Sequence, residues 1–345
     1  MWATPSPISR VSDGAGGKDR RSAETFWVET ASALIMRRIV SSLVILLTTG
    51  IAPAFAQDTP RLPTAPATSN ETAIAVRARK AEGAGPDARA VMQKAVEKDI
   101  VNWQAAKDYT FLQRTQENVL DGNGNMKSSQ SETAEILVLY GEPFERIVAK
   151  DDQPLSAAEQ KKQDEKFDKE TRKRGNESAD DRQKRLEKYQ KQREDERAFV
   201  REILDAYDFM LVGSESLNGR ETWVIDGVPR AGFEGKRRES KLLRKIKPRF
   251  WIDQQDYSWV KLRAEVIDTL SIGWVVARLH KGSTFEMQQV LVNGELWLPQ
   301  RFDVKLDARV ALLKGVNEDV HVTYSDYRKF RTDTKITLTE PAAVE

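Results

Sequence analysis

The chain has 345 residues, no cysteine and only two histidines, His280 and His321, which leaves no disulfide framework and little from which to build a zinc or thiol site. Lys+Arg 55 against Asp+Glu 53 gives a net charge of +2, so no global field points to nucleic acid.

In chain order, the first recognisable element spans residues 36–56. Arg37 and Arg38 precede an apolar run from Ile39 to Ile51, and Ala54-Phe-Ala56 forms an A-x-A cleavage pattern. The run is shorter than the roughly twenty residues of a bilayer span and breaks at Pro53, so it reads as an export leader, with an anchoring or buried helix as the alternative. A leader acts only at an N-terminus, so Met36 is the expected start, residues 1–35 are expected to be a spurious upstream extension, and the mature chain is expected in the periplasm. Residues 57–85, rich in Pro, Thr, Ala and Ser, read as a flexible linker. Residues 86–335 form the expected domain and 336–345 a tail.

Pro86 and Asp87 open a helix whose Met92, Val96, Ile100 and Trp103 share one stripe. Tyr109 to Leu120 alternates as a strand. Asp121-Gly-Asn-Gly-Asn125 is a hairpin turn, because Gly and Asn tolerate positive φ. Strands follow over Ser128 to Tyr140 and Phe144 to Ala149. From Ser156 to about Arg201 nearly every residue is charged, Gln or Ala; Ser156 with Glu159 is a capping box, Gly175-Asn176 interrupts, and Ser178 with Asp181 caps a second helix. Residues 156–207 therefore predict an inserted helical hairpin, either a partner-binding arm or a solvated surface hairpin.

The remainder is β-rich, with predicted strands at Phe209 to Ser214, Arg220 to Val228, Arg249 to Asp253, Ser258 to Leu270, Gly273 to Lys281, Thr284 to Val292, Leu296 to Leu306 and Asp319 to Tyr327. Gly315 to Asn317 is among the predicted turns. Short strands with hairpin-like joints imply an antiparallel meander in an α+β chain rather than βαβ units. Along Trp259 to Val266, alternation groups Val260, Leu262, Ala264 and Val266 against Trp259, Lys261, Arg263 and Glu265. Apolar groups on both faces of the later strands imply that one face packs on a helix while the other encloses a cavity or a second layer. Trp223, Trp251, Trp259, Trp274 and Trp297, with Phe285 and Met287, are the candidate ligand-binding residues, since indoles join large apolar area to a single donor; ordinary core packing is the alternative for each.

Phe250-Trp-Ile-Asp253 with Trp259-Val-Lys-Leu262 resembles a strand pair of the periplasmic lipoprotein carriers of the LolA/LolB and RseB type. Val292-Asn-Gly-Glu-Leu-Trp-Leu-Pro-Gln-Arg301 and Thr323-Tyr-Ser-Asp-Tyr-Arg-Lys-Phe330 are similar to later strands of that group. The likeness covers Ala88 to Phe330 apart from the charged hairpin, which compact members lack. It implies an incomplete β-barrel wrapped around helices, with a concave apolar side that accommodates acyl chains.

No G-x-S-x-G elbow, Walker loop or H-E-x-x-H helix occurs. Asp121, Asn123 and Asn125 mimic the opening of a calcium loop, but Met126 stands where the loop requires glycine. The basic run Lys236 to Arg249 carries Arg237, Arg238, Arg244 and Lys245, candidates for anionic headgroup contact, while Leu242, Leu243 and Ile246 fit a short amphipathic helix or a docked loop. The expected protein is a non-enzymatic carrier with no cofactor or metal. Its expected partners are a lipid or lipoprotein acyl chain and an envelope protein meeting residues 156–207, with peripheral membrane contact at most and no nucleic acid. The alternative is a structural or interaction module that works through the hairpin.

Overall fold

The computed structural model describes residues 85–237, 239–272, 277–310 and 314–329. The leader, the linker, Arg238, Trp274 and the tail lie outside the described residues.

Helix α1 (Ala88–Ala106) starts where the Asp87 carboxylate accepts from the Arg89 backbone N–H at 3.2 Å. Its buried stripe of Val91, Met92, Ala95 and Val96 faces a large antiparallel sheet. The strands are β1 (Tyr109–Leu120), β2 (Met126–Leu139), β3 (Glu142–Lys150), β4 (Gln153–Pro154), β5 (Tyr207–Leu217), β6 (Arg220–Pro229), β7 (Ile246–Asp253), β8 (Trp259–Val266), β9 (Leu270–Ile272), β10 (Ala277–Leu279), β11 (Thr284–Val292), β12 (Leu296–Val310) and β13 (Lys314–Lys329). The order is β4-β3-β2-β1-β13-β12-β11-β8-β7-β6-β5, with β9 and β10 attached beside β12. The ends, β4 and β5, do not pair, so the sheet stays an open barrel around its helices.

The meander is broken twice: β11 pairs with β8 past the β9–β10 hairpin, and β1 pairs with β13, which joins the two ends of the domain through a register running from Tyr109↔Lys329 to Leu120↔Asn317. Between β3 and β5 lie α2 (Ala157–Gly175), opened by the Ser156/Glu159 capping box, and α3 (Ala179–Ala206), capped by Ser178. A 3₁₀ turn, Glu239–Lys245, precedes β7 and buries Leu243.

One core fills the concave side. It joins the α1 stripe and Phe199, Val200, Ile203 and Ala206 of α3 to Ile225, Phe250, Ile252, Phe285, Met287, Phe302, Val304, Val320 and Val322 of the sheet. Much of the face of β6, β7, β8 and β11 turned away from the helices carries cross-strand ion pairs instead, Asp226–Arg249 and Lys261–Glu286 among them.

Two expectations change. The pairing of β7 with β8 slips between Trp251↔Lys261 and Ile252↔Trp259, so Val260 is the extra residue of a bulge. That one-residue slip turns Trp259 onto the core face with Leu262, Ala264 and Val266 rather than against them. The Gly315 to Asn317 segment is strand, not turn: Gly315 pairs with Arg309 and Asn317 with both Asp307 and Leu120.

Candidate functional site

The clearest opening toward the concave side lies where the C-terminal end of α1 meets the start of β1. Trp103, Ala106, Lys107, Tyr109 and Phe111 line it from these elements. Ile136, Leu137 and Val138 of β2, the Gly141 to Pro143 corner, Leu298 of β12 and Tyr327 of β13 add further walls, and Tyr189 and Arg193 of α3 form its roof. The free volume open to a water-sized body is about 20 Å³, room for one water. An acyl chain enters only if the roof moves.

Arginines hold the roof. The Arg193 guanidinium lies 3.7 Å from the centre of the Trp103 ring and that of Arg197 4.4 Å, close enough for cation–π attraction in a desolvated setting. Arg193 also donates to the Trp103 carbonyl at 2.9 Å and to the Tyr189 hydroxyl at 3.1 Å. Arg197 donates to Asp99 Oδ2 at 2.6 Å. Burial pushes the Asp99 carboxyl above its ordinary range, opposed by the Arg197 cation. The Tyr327 hydroxyl donates to the Pro299 carbonyl at 2.5 Å, and burial pushes its pKa well above the ordinary phenol value. By contrast, Trp103 Nε1 and the Tyr109 hydroxyl are buried without a hydrogen-bond partner.

Farther out, the hairpin grips the β2–β3 corner. Tyr140 and Gly141 form a two-residue turn with φ of 50° and 86°, the positive pair a type I′ hairpin needs. Arg174 donates to the Leu139 carbonyl at 2.7 Å, and Arg185 to the Tyr140 carbonyl at 3.3 Å. Glu142 sits between these two guanidiniums, at 3.6 and 3.2 Å. A Cβ on Gly175 would lie 2.9 Å from the Tyr140 hydroxyl, the tip of an exposed side chain that would have to shift. Leu137, Leu139, Phe144 and Phe167 form a small apolar cluster beneath α2. The charged stretch is therefore neither a free arm nor fully solvated: Arg174, Arg185, Arg193 and Arg197 are spent on the domain's own carbonyls and rings.

The residues expected to bind ligand are spread across the domain. Phe285 and Met287 are 2% and 1% exposed in the main core, where Trp259 also packs, edge-on to Phe250 at 5.3 Å. Trp223 stacks obliquely on Tyr257 at 5.4 Å. Trp251 donates to Glu215 at 2.6 Å and Trp297 to Asp256 at 2.8 Å. Of the basic candidates, Arg237 pairs with Asp195 at 3.0 Å and Lys245 with Asp268 at 2.9 Å, while Arg244 is exposed. His280 and His321 contact Asp307 and Asp303 at 2.8 and 2.6 Å. Among the described residues, no group of three His, Cys, Asp or Glu side chains converges as a metal site, and no helix is long and apolar enough to cross a membrane. Sequence periodicity placed Trp103 on an apolar stripe, but Arg193 is one of many charges in the hairpin and carries no local signal of its position.

No family model matches this sequence, and no curated protein matches it. Solved structures do. An outer membrane lipoprotein-sorting protein domain from Vibrio parahaemolyticus is 11% identical over 71% of this chain and 95% of its own length, with a TM-score of 0.30. A DUF1329 family protein from Desulfovibrio piger is 11% identical over 73% and 96%, with a TM-score of 0.28. A LolA superfamily protein from Nitrosomonas europaea is 14% identical over 72% and 94%, with a TM-score of 0.26.

Proposed function

We propose that the protein is an exported, non-enzymatic carrier that holds the apolar chain of a lipid or lipoprotein in the cleft between α1, β1 and α3. The observation that carries this reading is the lining itself: Trp103, Tyr109, Phe111, Ile136, Leu298 and Tyr327 converge under a roof fastened largely by polar contacts. Burying an alkyl chain there contributes about 0.8 kcal/mol per methylene. Selection then follows chain length. The leader at residues 36–56 supports a periplasmic site of action.

The test is uptake of a bromine-labelled fatty acid, which quenches nearby indole fluorescence. Saturable quenching is expected in the wild-type protein, with a clear part of it lost in Trp103→Phe. Absence of uptake overturns the carrier reading. Uptake with quenching unchanged in Trp103→Phe moves the ligand to another part of the domain and overturns the cleft.

A further inference from the structure

Resting on that carrier reading, we infer that the cleft selects amphipaths with an anionic head, the oxyanion seated on Arg193. Arg193 is 8% exposed, and no carboxylate among the described residues lies within ion-pairing distance of it. Its guanidinium spends its contacts on a ring face, a carbonyl and a hydroxyl. A buried cation without a counter-charge is costly unless a ligand supplies one.

Two further groups in the same lining want an acceptor. Trp103 Nε1 is an obligate donor, the Tyr109 hydroxyl donates equally well, and both are buried without partners. Leaving each unsatisfied carries the desolvation cost of a buried donor. The competing charges are accounted for. Glu142, the carboxylate in the lining, is held by Arg174 and Arg185. Asp99 is held by Arg197. Lys107 at the rim is largely exposed and lies 3.9 Å from the Asp108 carboxylate, so the surplus positive charge is that of Arg193. The cleft thus presents surplus donors and surplus positive charge beside apolar walls, which is the complement of a fatty-acid carboxylate or an alkyl phosphate.

The experiment compares palmitate, hexadecyl phosphate, hexadecanol and methyl palmitate by displacement of one fluorescent acyl probe. The wild-type protein should prefer the two anions over the two neutral chains by about 10- to 100-fold, the range for a charge-assisted hydrogen bond. Palmitate against hexadecyl phosphate separates a carboxylate from a phosphate source. Arg193→Gln should remove the preference, lowering affinity for the two anions far more than for hexadecanol. Arg193→Lys, which keeps the charge and guards against loss of folding, should retain part of it. Equal binding of anionic and neutral chains by the wild-type protein overturns the inference and leaves the carrier reading standing. Binding of none of the four overturns both.

Discussion

Two helical surfaces meet the same sheet with different chemistry. On the concave side, α1 and the C-terminal turns of α3 press Met92, Val96, Phe199 and Ile203 into one continuous apolar core. Around the β2–β3 corner, α2 and the first turns of α3 rest on a four-residue apolar cluster and on Arg174 and Arg185, and farther along α3 Arg193 and Arg197 tie the helix to α1. Apolar burial is non-directional, and nothing in water replaces it. Contacts from guanidinium to carbonyl can be exchanged for water at little net loss. The same chain thus carries one seam of apolar burial and one of polar contacts, and the cleft lies under the second.

The comparison breaks most visibly in the core. Phe302 on β12 is completely buried among the core side chains. Phe302→Ala should cost about 3–5 kcal/mol, read as a lowered urea midpoint that circular dichroism and tryptophan fluorescence report together. A loss below 1 kcal/mol would mean that this part of the barrel is loosely packed and already has room for a chain.

A smaller and more local effect is expected at the roof. Removing one partner of a buried ion pair costs about 3–5 kcal/mol when the other is stranded. In Arg197→Met, however, the outer part of α3 can release while the core stays folded, so the global loss should be only about 1–2 kcal/mol, since local openings lie below the global free energy. Amide exchange should accelerate from Gln183 to Glu194 and stay unchanged in α1 and β12. The double variant Asp99→Leu/Arg197→Met, which strands no charge, should recover most of the protection. Equal acceleration in β12 would show that roof and barrel open as one unit, and the contrast between the two seams would be lost.

Much of this architecture is legible from local chemistry. The Asp87, Ser156 and Ser178 caps, the Asn218-Gly219 turn with its positive φ values and the β1 limits are each set by neighbours a few residues apart. What escaped depends on distant partners. The extra residue at Val260 changes which face Trp259 occupies, and alternation alone carries no trace of it. The role of Arg193 depends on a ring and a carbonyl ninety positions away. In the sequence it is one more positive charge on a helix that looks solvated, so the roof of the cleft was hidden among its neighbours.

The smallest expected effect sharpens the polar seam at its outer end. Glu159 closes the capping box of α2 and accepts from Lys150 Nζ at 2.8 Å and from the Ser156 hydroxyl at 2.7 Å. These donors, Lys150 foremost, hold its carboxyl at about 2 instead of the ordinary 4.5. The folded state therefore gives up this proton more readily than the unfolded chain. The contribution of the box is complete above about 4.5 and fades as the pH falls toward 2. Because both side chains of the pair stand partly in solvent, salt should screen most of the Lys150 share and leave the share from Ser156. Titration of the Glu159 carboxyl carbon by NMR should give a midpoint near the lower value in dilute buffer, moving up in 1 M salt. A midpoint near 4.5 at low salt would mean that the box is open in solution, and the polar seam would then begin at Arg174 rather than at the start of α2.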